Sequence, residues 1–471
     1  MSRAGGMRRA LMAVAAGTLL LGGTLRADAE NIVDAMIGAY NSSGLLEQNR
    51  ALLRAADEDV AIAVSALRPV VDFILRANRS FNATGTDFSP RNVTRRSGLT
   101  TQFSATWLLW DNGRTRLSVE ESKETVLATR QTLLGIEQQV LFAAASAYVD
   151  ILLQQETVSV RRNNLRVLRE ELRAAQDRFD VGEVTRTDVA LAQSRVAAAR
   201  SDLSTAEGSL VSARAAYANS VGRAPGALAG QPRLPALPAT VEAATAVALR
   251  RHPTLLAAQH QVSAAEIAVR AGAKSFGPSL SAAAEIGATD SLRSSGYSED
   301  ASVSLTLSQR LYQGGGITAR YRKLIAARDA ARGNLLSVQR DVVQDVNDAF
   351  VRLQVARASL VASAERVRAA RVAFEGVREE ATLGARTTLD VLSAEQELLS
   401  AQTAQISARS EQSVAAYQLL AAQGLLTAEH LRLKVQIYDP TLYYNLAKDA
   451  PAAISKQTKQ LDRVLRALQK R

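Results

Sequence analysis

Two stretches of this chain superpose at one constant offset, so its fold must be built twice. Trp110-Asp111-Asn112-Gly113 stands 202 positions before Tyr312-Gln313-Gly314-Gly315. The same offset carries Tyr148 onto Phe350, Gly182 onto Gly384, Asp188-Val189 onto Asp390-Val391 and Gly222 onto Gly424. Upstream of Trp110 the offset becomes 209: Leu46 to Pro69 and Leu255 to Pro278 both span 23 positions, and the first copy then carries seven extra residues. Those extra residues fall in Phe81 to Gly98, a polar stretch that reads as a loop. The Pro-rich segment Pro225 to Pro238 reads as a linker. The expected layout is a first repeat over 30–224, a linker over 225–238, a second repeat over 239–427, and a C-terminal segment with a basic tail over 428–471.

Inside each copy, large apolar side chains recur every seven residues. One row is Leu127, Leu134, Leu141 and Tyr148, and the next is Val158, Leu165, Leu172 and Phe179. After Gly182 the row resumes at Val189, Val196, Leu203, Leu210 and Tyr217, joined by Ala192, Ala199, Ala206 and Ala213. The second copy repeats the alanine row at Ala394, Ala401, Ala408, Ala415 and Ala422. A seven-residue spacing keeps one seam against a partner helix only if the pair supercoils, so these are coiled-coil helices. Alanine at alternate seam positions lets backbones approach. From Arg114 to Arg178 the helix would run roughly 100 Å at ~1.5 Å per residue. Turns at Gly182 and Gly384 would fold each copy into a long antiparallel hairpin.

Ahead of each hairpin the period changes to two. Val303, Leu305 and Leu307 alternate with Ser302, Ser304, Thr306 and Ser308, which gives a strand one apolar and one hydroxyl face. Leu99, Thr101, Phe103, Ala105 and Trp107 alternate in the same way. Weaker matches are Val71, Phe73, Leu75, Ala77 and Leu280, Ala282, Ala284, Ile286. A soluble sheet with one face on a core satisfies this pattern. So does a membrane strand, because about ten residues is the length a tilted strand needs to cross a bilayer. Four strands cannot close around a lumen and lipid forbids open edges, so a spanning sheet requires several chains to share one barrel.

The first residues read as a secretory leader: Arg3, Arg8 and Arg9 precede an apolar run from Ala10 to Leu25, and Ala27-Asp28-Ala29 suits cleavage after Ala29. No later segment offers about 18 consecutive apolar residues, so strands must make any membrane contact. Aromatic residues make up 4% of the chain, which is thin material for an ordinary globular core. There is no cysteine, which excludes disulfides, thiolate metal sites and a lipid-anchored N-terminus. The net charge of +11 falls to +8 when Arg3, Arg8, Arg9, Arg26 and Asp28 leave with the leader. The remaining arginines are interspersed with acids and lack interleaved aromatics, so nucleic acid is not an expected partner.

The residues resemble the TolC family of outer-membrane efflux proteins over nearly the whole mature chain. The resemblance is carried in the first copy by Ala147-Tyr148-Val149, Arg178-Phe179-Asp180-Val181-Gly182 and Thr187-Asp188-Val189. In the second it is carried by Leu311-Tyr312-Gln313-Gly314-Gly315, Leu383-Gly384-Ala385-Arg386-Thr387 and Leu389-Asp390-Val391-Leu392. It implies a mainly α fold with a transmembrane β portion. Three chains would share a 12-stranded barrel, four strands from each, and their hairpins would form a periplasmic tunnel. The resemblance also implies a periplasmic adaptor (membrane fusion) protein, an inner-membrane ABC exporter or proton-driven pump, outer-membrane lipid, and location in the outer membrane of a Gram-negative bacterium. The adaptor would face the turns Val181-Gly182-Glu183 and Leu383-Gly384-Ala385, although Glu183 and Ala385 depart from the family's third turn position.

Asp188 and Asp390 lie six residues after the turn glycines. An acid there complements the helix dipole, and Thr187 nearby can cap. Resemblance adds a second role, in which threefold symmetry makes each aspartate a ring of carboxylates at the periplasmic entrance, with Asp390 the first choice. Such a ring would favour cations and raise the pKa of its own members by like-charge repulsion. Arg386 matches an arginine that holds the entrance closed through contacts with a neighbouring hairpin, where Thr187 and Asp188 are the matching partners; a solvated turn arginine is the plainer reading. Ala381 stands where the family often has a tyrosine and Ser393 where it has a second acid, which implies a looser, less cation-selective entrance.

Nothing in the sequence points to catalysis or a cofactor. His252, His260 and His430 have no metal-ligand spacing, and no nucleophile motif or phosphate loop is present. Gly314-Gly315-Gly316 reads as a sharp strand-to-helix passage. Tyr438-Asp439-Pro440 resembles the family's segment that wraps the middle of the tunnel, and Lys456 to Arg471 is either a short amphipathic helix or an unfolded tail. The alternative to a channel is a secreted or periplasmic coiled-coil structural protein with a soluble sheet. It leaves unexplained the recurrence of alternating strands at matching places in both copies.

Overall fold

The computed structural model describes residues 29–292, 296–452 and 455–469. Apart from Ala29, the expected leader lies outside the described residues. The order of elements repeats as the offset requires. The first copy has α1 (Ile32–Ser42), α2 (Gly44–Ser65), β1 (Val70–Thr86), β2 (Ser89–Trp110), α3 (Arg114–Asp180) and α4 (Arg186–Val221). The second has α5 (Val241–Arg251), α6 (Pro253–Lys274), β3 (Ser279–Ser291), β4 (Tyr297–Ser308), α7 (Gly316–Thr382) and α8 (Thr388–Ala422). Two short helices follow, α9 (Pro440–Ala447) and α10 (Lys456–Gln469).

Contacts divide the chain into two units. One comprises Met1–Gly38, Ala144–Arg233 and Val367–Ser410; the other comprises Ala39–Ala143, Leu234–Arg366 and Glu411–Arg471. The first contains both helical turns and the second contains the sheet.

In the sheet-bearing unit the four strands are antiparallel in the order β1-β2-β3-β4. Their register aligns the alternating residues into rows. Phe73, Phe103, Ile286 and Ala301 are successive partners across the sheet, as are Val71, Ala105, Ala284 and Val303. The rings of Phe73 and Phe103 stand 5.0 Å apart. Asp72, Ser104, Glu285 and Ser302 form a corresponding row on the opposite face. The apolar face is uncovered: Val303 is 84% exposed and Ile286 62%.

The strands are longer than ten residues, and the loop expected over Phe81 to Gly98 is a correction. β1 and β2 span 17 and 22 residues and stay paired through Phe81–Arg95 and Ala83–Val93, with the chain turning only at Asp87-Phe88. Polarity there marks a change of surroundings; backbone pairing continues because each strand supplies the other's hydrogen bonds. α3 contains an 18-residue window of mean hydropathy 1.3, but more than half of that window is buried in protein.

The strand-to-helix passages are the same device twice. Asn112 and Gly113 have φ of 59° and 83°, and their counterparts Gly314 and Gly315 have 53° and 79°. Left-handed backbone favours glycine, with asparagine the tolerated substitute. Asp111 then caps α3, its Oδ2 accepting from the Thr115 amide at 2.8 Å.

The core of this unit is thin and rich in small residues. Ala244 and Ala248 of α5 pack with Val342, Val346, Ala349 and Leu353 of α7 and with Ala415, Ala416 and Leu419 of α8. In a separate cluster Leu53 and Val60 of α2 meet Val126 of α3, with Tyr438 and Tyr444 of the C-terminal segment against them. α10 is the amphipathic helix of the two readings left open: Leu461 is buried with Tyr443 and Ala447 of α9.

In the turn-bearing unit the small-residue seam is occupied as the seven-residue spacing requires. Ala192, Ala199, Ala206 and Ala213 are all buried, as is Ala401. The large-residue row fades at its end, where Phe179 is 42% exposed. The start of the Pro-rich linker is held in place within this unit. Glu30 bridges Leu228 in parallel, and its carboxylate accepts from Tyr217 Oη at 2.5 Å, Arg223 at 2.6 Å and the Gly226 amide at 3.1 Å. Burial and this carboxylate push the Tyr217 phenol well above its ordinary pKa.

Candidate functional site: two acid-capped helical turns

α3 and α7 end in the same way because both place glycine one residue past the cap. Gly182 (φ 83°) donates to Phe179 O at 3.0 Å and Glu183 to Arg178 O at 2.9 Å. Gly384 (φ 77°) donates to Ala381 O at 3.2 Å and Ala385 to Glu380 O at 2.9 Å. These paired bonds satisfy the last helical carbonyls and aim the chain back. Val181 and Leu383, at the cap position, are left 72% and 79% exposed.

The returning helices also start identically. Thr185 N and Oγ1 donate to Asp188 Oδ2 at 2.9 and 2.7 Å, while the Asp188 amide donates to Thr185 Oγ1 at 3.3 Å. Thr387 and Asp390 repeat this at 3.0, 2.9 and 3.3 Å. Each pair is a capping box. The capping residue is therefore Thr185 and not Thr187: the cap precedes its acid by three positions, and Thr187 already lies inside α4. Thr-x-x-Asp, recurring at the repeat offset, was the signal for this in the sequence.

Both carboxylates are held anionic. Thr185 hydrogen bonds, side chain before backbone, hold Asp188 below the usual carboxylate range, with Arg178 adding to the effect. For Asp390 the Thr387 backbone bond leads, then its side chain, then Arg386. Within one chain the direction is thus downward; like-charge repulsion enters only where copies converge. Asp390 is also firmly seated, since the next two residues, Val391 and Leu392, are 2% and 1% exposed.

Arg386 Nε donates to Glu380 Oε2 of its own turn at 2.7 Å, and the structure does not place it with Thr187 or Asp188. The two hairpins of this unit are joined elsewhere. Buried Asn164 donates to Glu395 Oε1 at 2.9 Å, Arg378 pairs with Glu171 at 3.0 Å, and Leu392 packs among Leu165, Leu168 and Ala192. Burial raises the Glu395 pKa, with the Asn164 bond opposing. Polar residues buried in a heptad seam give no periodic signal, so sequence reasoning missed this pair. Ala381 is buried at 4% exposure and fills its position without a polar group.

His260 pairs with Glu124 at 2.8 Å, and burial lowers the pKa of His252. Among the described residues no three His, Cys, Asp or Glu side chains cluster as metal ligands.

A Thr387→Ala substitution is expected to cost about 1 kcal/mol at the start of α8. The Asp390 amide should exchange its hydrogen roughly fivefold faster, read by mass spectrometry of peptides spanning the turn. Unchanged exchange would mean that the box does not hold this turn.

Duplicated hairpins closed by acid-capped turns, joined to an antiparallel sheet with one uncovered apolar face, define the chain as a channel subunit that combines strands and helical hairpins. The family described as Outer membrane efflux protein matches residues 39–223 and 244–425. The outer membrane efflux protein BepC of Brucella suis is 35% identical over 441 residues, covering 93% of this chain and 95% of BepC. The outer membrane protein TolC of Escherichia coli is 24% identical, covering 89% and 87%. In fold, the chain is similar to the CmeC outer membrane channel of Campylobacter jejuni, with a TM-score of 0.75 at 16% identity over 90% of each chain. The chain belongs to the outer membrane efflux protein family: it is a non-enzymatic efflux or secretion channel of the TolC type, located in the outer membrane of Gram-negative bacteria. This family membership displaces the coiled-coil structural alternative.

Proposed function

We propose that three copies of this chain form one continuous conduit, and that it takes cargo from a periplasmic adaptor and an inner-membrane ABC exporter or proton-driven pump. The observation that carries this reading is the sheet. Its apolar rows are exposed, and its two outer strands, β1 and β4, each have one neighbour among the described residues. A four-stranded sheet in lipid leaves two rows of unpaired amides and carbonyls, at several kcal/mol per unsatisfied group. Pairing β4 of one copy with β1 of the next removes both edges and closes twelve strands around a lumen lined by the Asp72–Glu285 face.

At the other functional site the same threefold symmetry would gather Asp188 and Asp390 into rings. Asp390 is the selectivity residue, because its capping box keeps it ionised and its buried neighbours fix it. The exposed tips, Val181-Gly182-Glu183 and Leu383-Gly384-Ala385, are the surface offered to the adaptor, with Val181 and Leu383 supplying apolar contact. Arg386 and Thr187 are entrance contacts between hairpins, with the Arg386–Glu380 pair as the arrangement that must exchange. The segment boundaries at 224, 238 and 427 belong to this reading.

Single-channel conductance of the purified protein in a planar bilayer tests it. Three carboxylates within ~10 Å of a passing ion contribute on the order of 1 kcal/mol in a water-like dielectric. Asp390→Ala is therefore expected to lower the cation-to-anion permeability ratio roughly threefold to tenfold. A conducting pore with unaltered selectivity would remove Asp390 from the role, and folded protein that never conducts would overturn the conduit.

A further inference from the structure

The apolar face of the β1–β2 hairpin changes chemistry where it leaves the membrane band. On β2 that face runs through Trp107, Ala105, Phe103, Thr101 and Leu99, and beyond a bulge through Trp110. At ~3.4 Å per residue and a tilt of ~40° it rises about 25 Å, the height of the apolar band of an outer-membrane barrel. The last pair of the band is Ala77 opposite Leu99; the next pairs on the same face are Arg79 opposite Ser97 and Phe81 opposite Arg95. They stand roughly 5 and 10 Å beyond the band, at the depth of lipid headgroups.

The guanidinium carbons of Arg79 and Arg95 lie 5.2 and 6.0 Å from the centre of the Phe81 ring, which is itself 61% exposed. Both cations thus lie within cation–π reach of one phenyl ring. Among the described residues neither arginine forms an ion pair with a carboxylate. From Arg76 to Gly98 the hairpin carries five arginines against the single acid Asp87. Among the described residues β3 pairs with β2 as far as Gly98, and Leu292 donates to Ser97 O at 3.0 Å, so none of them pairs with Arg95 from the β3 side.

We propose that Arg79, Arg95 and Phe81 clasp the phosphate groups of an anionic, phosphorylated glycolipid in the outer leaflet, whose acyl chains lie on the Phe73–Phe103 band below. Two guanidinium groups held together repel each other, and a phosphate relieves that repulsion while accepting paired N–H bonds from each. The clasp opens on the lipid-facing side, which commits it to a lipid phosphate; a soluble anion in the lumen meets the opposite face. The inference rests on the strands spanning the outer membrane.

The test uses the full chain in nanodiscs of zwitterionic lipid, titrated with bisphosphorylated lipid A and read by native mass spectrometry. Each arginine near a charged interface contributes about a factor of five, so Arg79→Gln with Arg95→Gln is expected to weaken binding roughly 30-fold. Dephosphorylated lipid A should bind the native chain as weakly as phosphorylated lipid A binds the double variant. Arg161→Gln with Arg162→Gln, which removes the same charge from α3, should leave lipid binding unchanged. Arg79→Lys with Arg95→Lys keeps the charge and loses the fork, and an intermediate loss of about threefold to fivefold is expected. Equal lipid A binding by the native chain and by both folded double variants overturns the clasp, as does displacement of the lipid by equimolar inorganic phosphate. Conductance of the native preparation shows whether the barrel has formed, so a failed clasp is distinguishable from a failed channel.

Discussion

Replacing Ile286 with arginine is expected to abolish assembly of the channel in the outer membrane. Ile286 sits in the row Phe73–Phe103–Ile286–Ala301, near the middle of the apolar band, with its side chain uncovered. An arginine facing lipid at the midplane of a barrel costs about 2–4 kcal/mol. Threefold symmetry multiplies this to roughly 6–12 kcal/mol per assembly, comparable to the whole stability of a typical domain. The control is Ser302→Arg, one position along from Ala301 on β4 and opposite Glu285 on the other face. That side chain points into the proposed aqueous lumen and should be tolerated. The measurement is heat-modifiable oligomer in purified outer membranes. If both variants assemble equally, the apolar face does not meet lipid.

The second large effect is a pH dependence centred on Asp57 of α2. This carboxyl is fully buried, and among the described residues neither of its oxygens has a hydrogen-bond partner. Burial pushes its pKa up to about 7, the charge of Arg130 on α3 opposes the shift, and Glu58 adds to it. Arg50 and Arg54 on α2 and Tyr443 and Tyr444 on α9 share this neighbourhood. Between the unfolded value near 4 and the folded value near 7, the native chain binds a proton that the unfolded chain has released. Stability therefore falls as pH rises through this window, by on the order of 3–4 kcal/mol in total. Asp57→Asn carries no such proton, so its stability should lack this slope and should exceed that of the native chain at pH 8. Thermal unfolding followed by circular dichroism from pH 4 to 8 measures it. Parallel curves for the two proteins would mean that Asp57 keeps its charge when buried, paired with Arg130.

Several details of the helical turns are legible in the sequence alone. The turn glycines, the acids six residues on and the repeat offset placed Asp188 and Asp390 at equivalent starts of returning helices. The cap is Thr185 rather than the expected Thr187 because Thr187 is adjacent to its acid, whereas a capping box needs the three-residue spacing that Thr185 and Thr387 provide. The paired strands over Phe81 to Gly98 are not legible in the sequence for a different reason. Polar residues alternate there without an apolar face, and a strand whose two faces are both wet has no periodic signature. The Asn164–Glu395 bond and the Glu30 hub are long-range meetings of single polar residues, for which no local pattern exists.

What the sequence determined by itself is everything that depends on period and position along the chain: two copies, helices with seven-residue seams, strands of alternating character, and reversals at glycine. Local backbone preference and the spacing of apolar side chains suffice for these. Only the tertiary structure decided which strand pairs with which and in what register, and hence that the apolar residues of four strands share one uncovered face. It alone decided that Arg79 and Arg95 both reach the Phe81 ring and that Asp57 is buried with no hydrogen-bond partner among the described residues. These outcomes arise from residues far apart in the chain whose contacts form only when the whole backbone closes, and no short-range pattern encodes them.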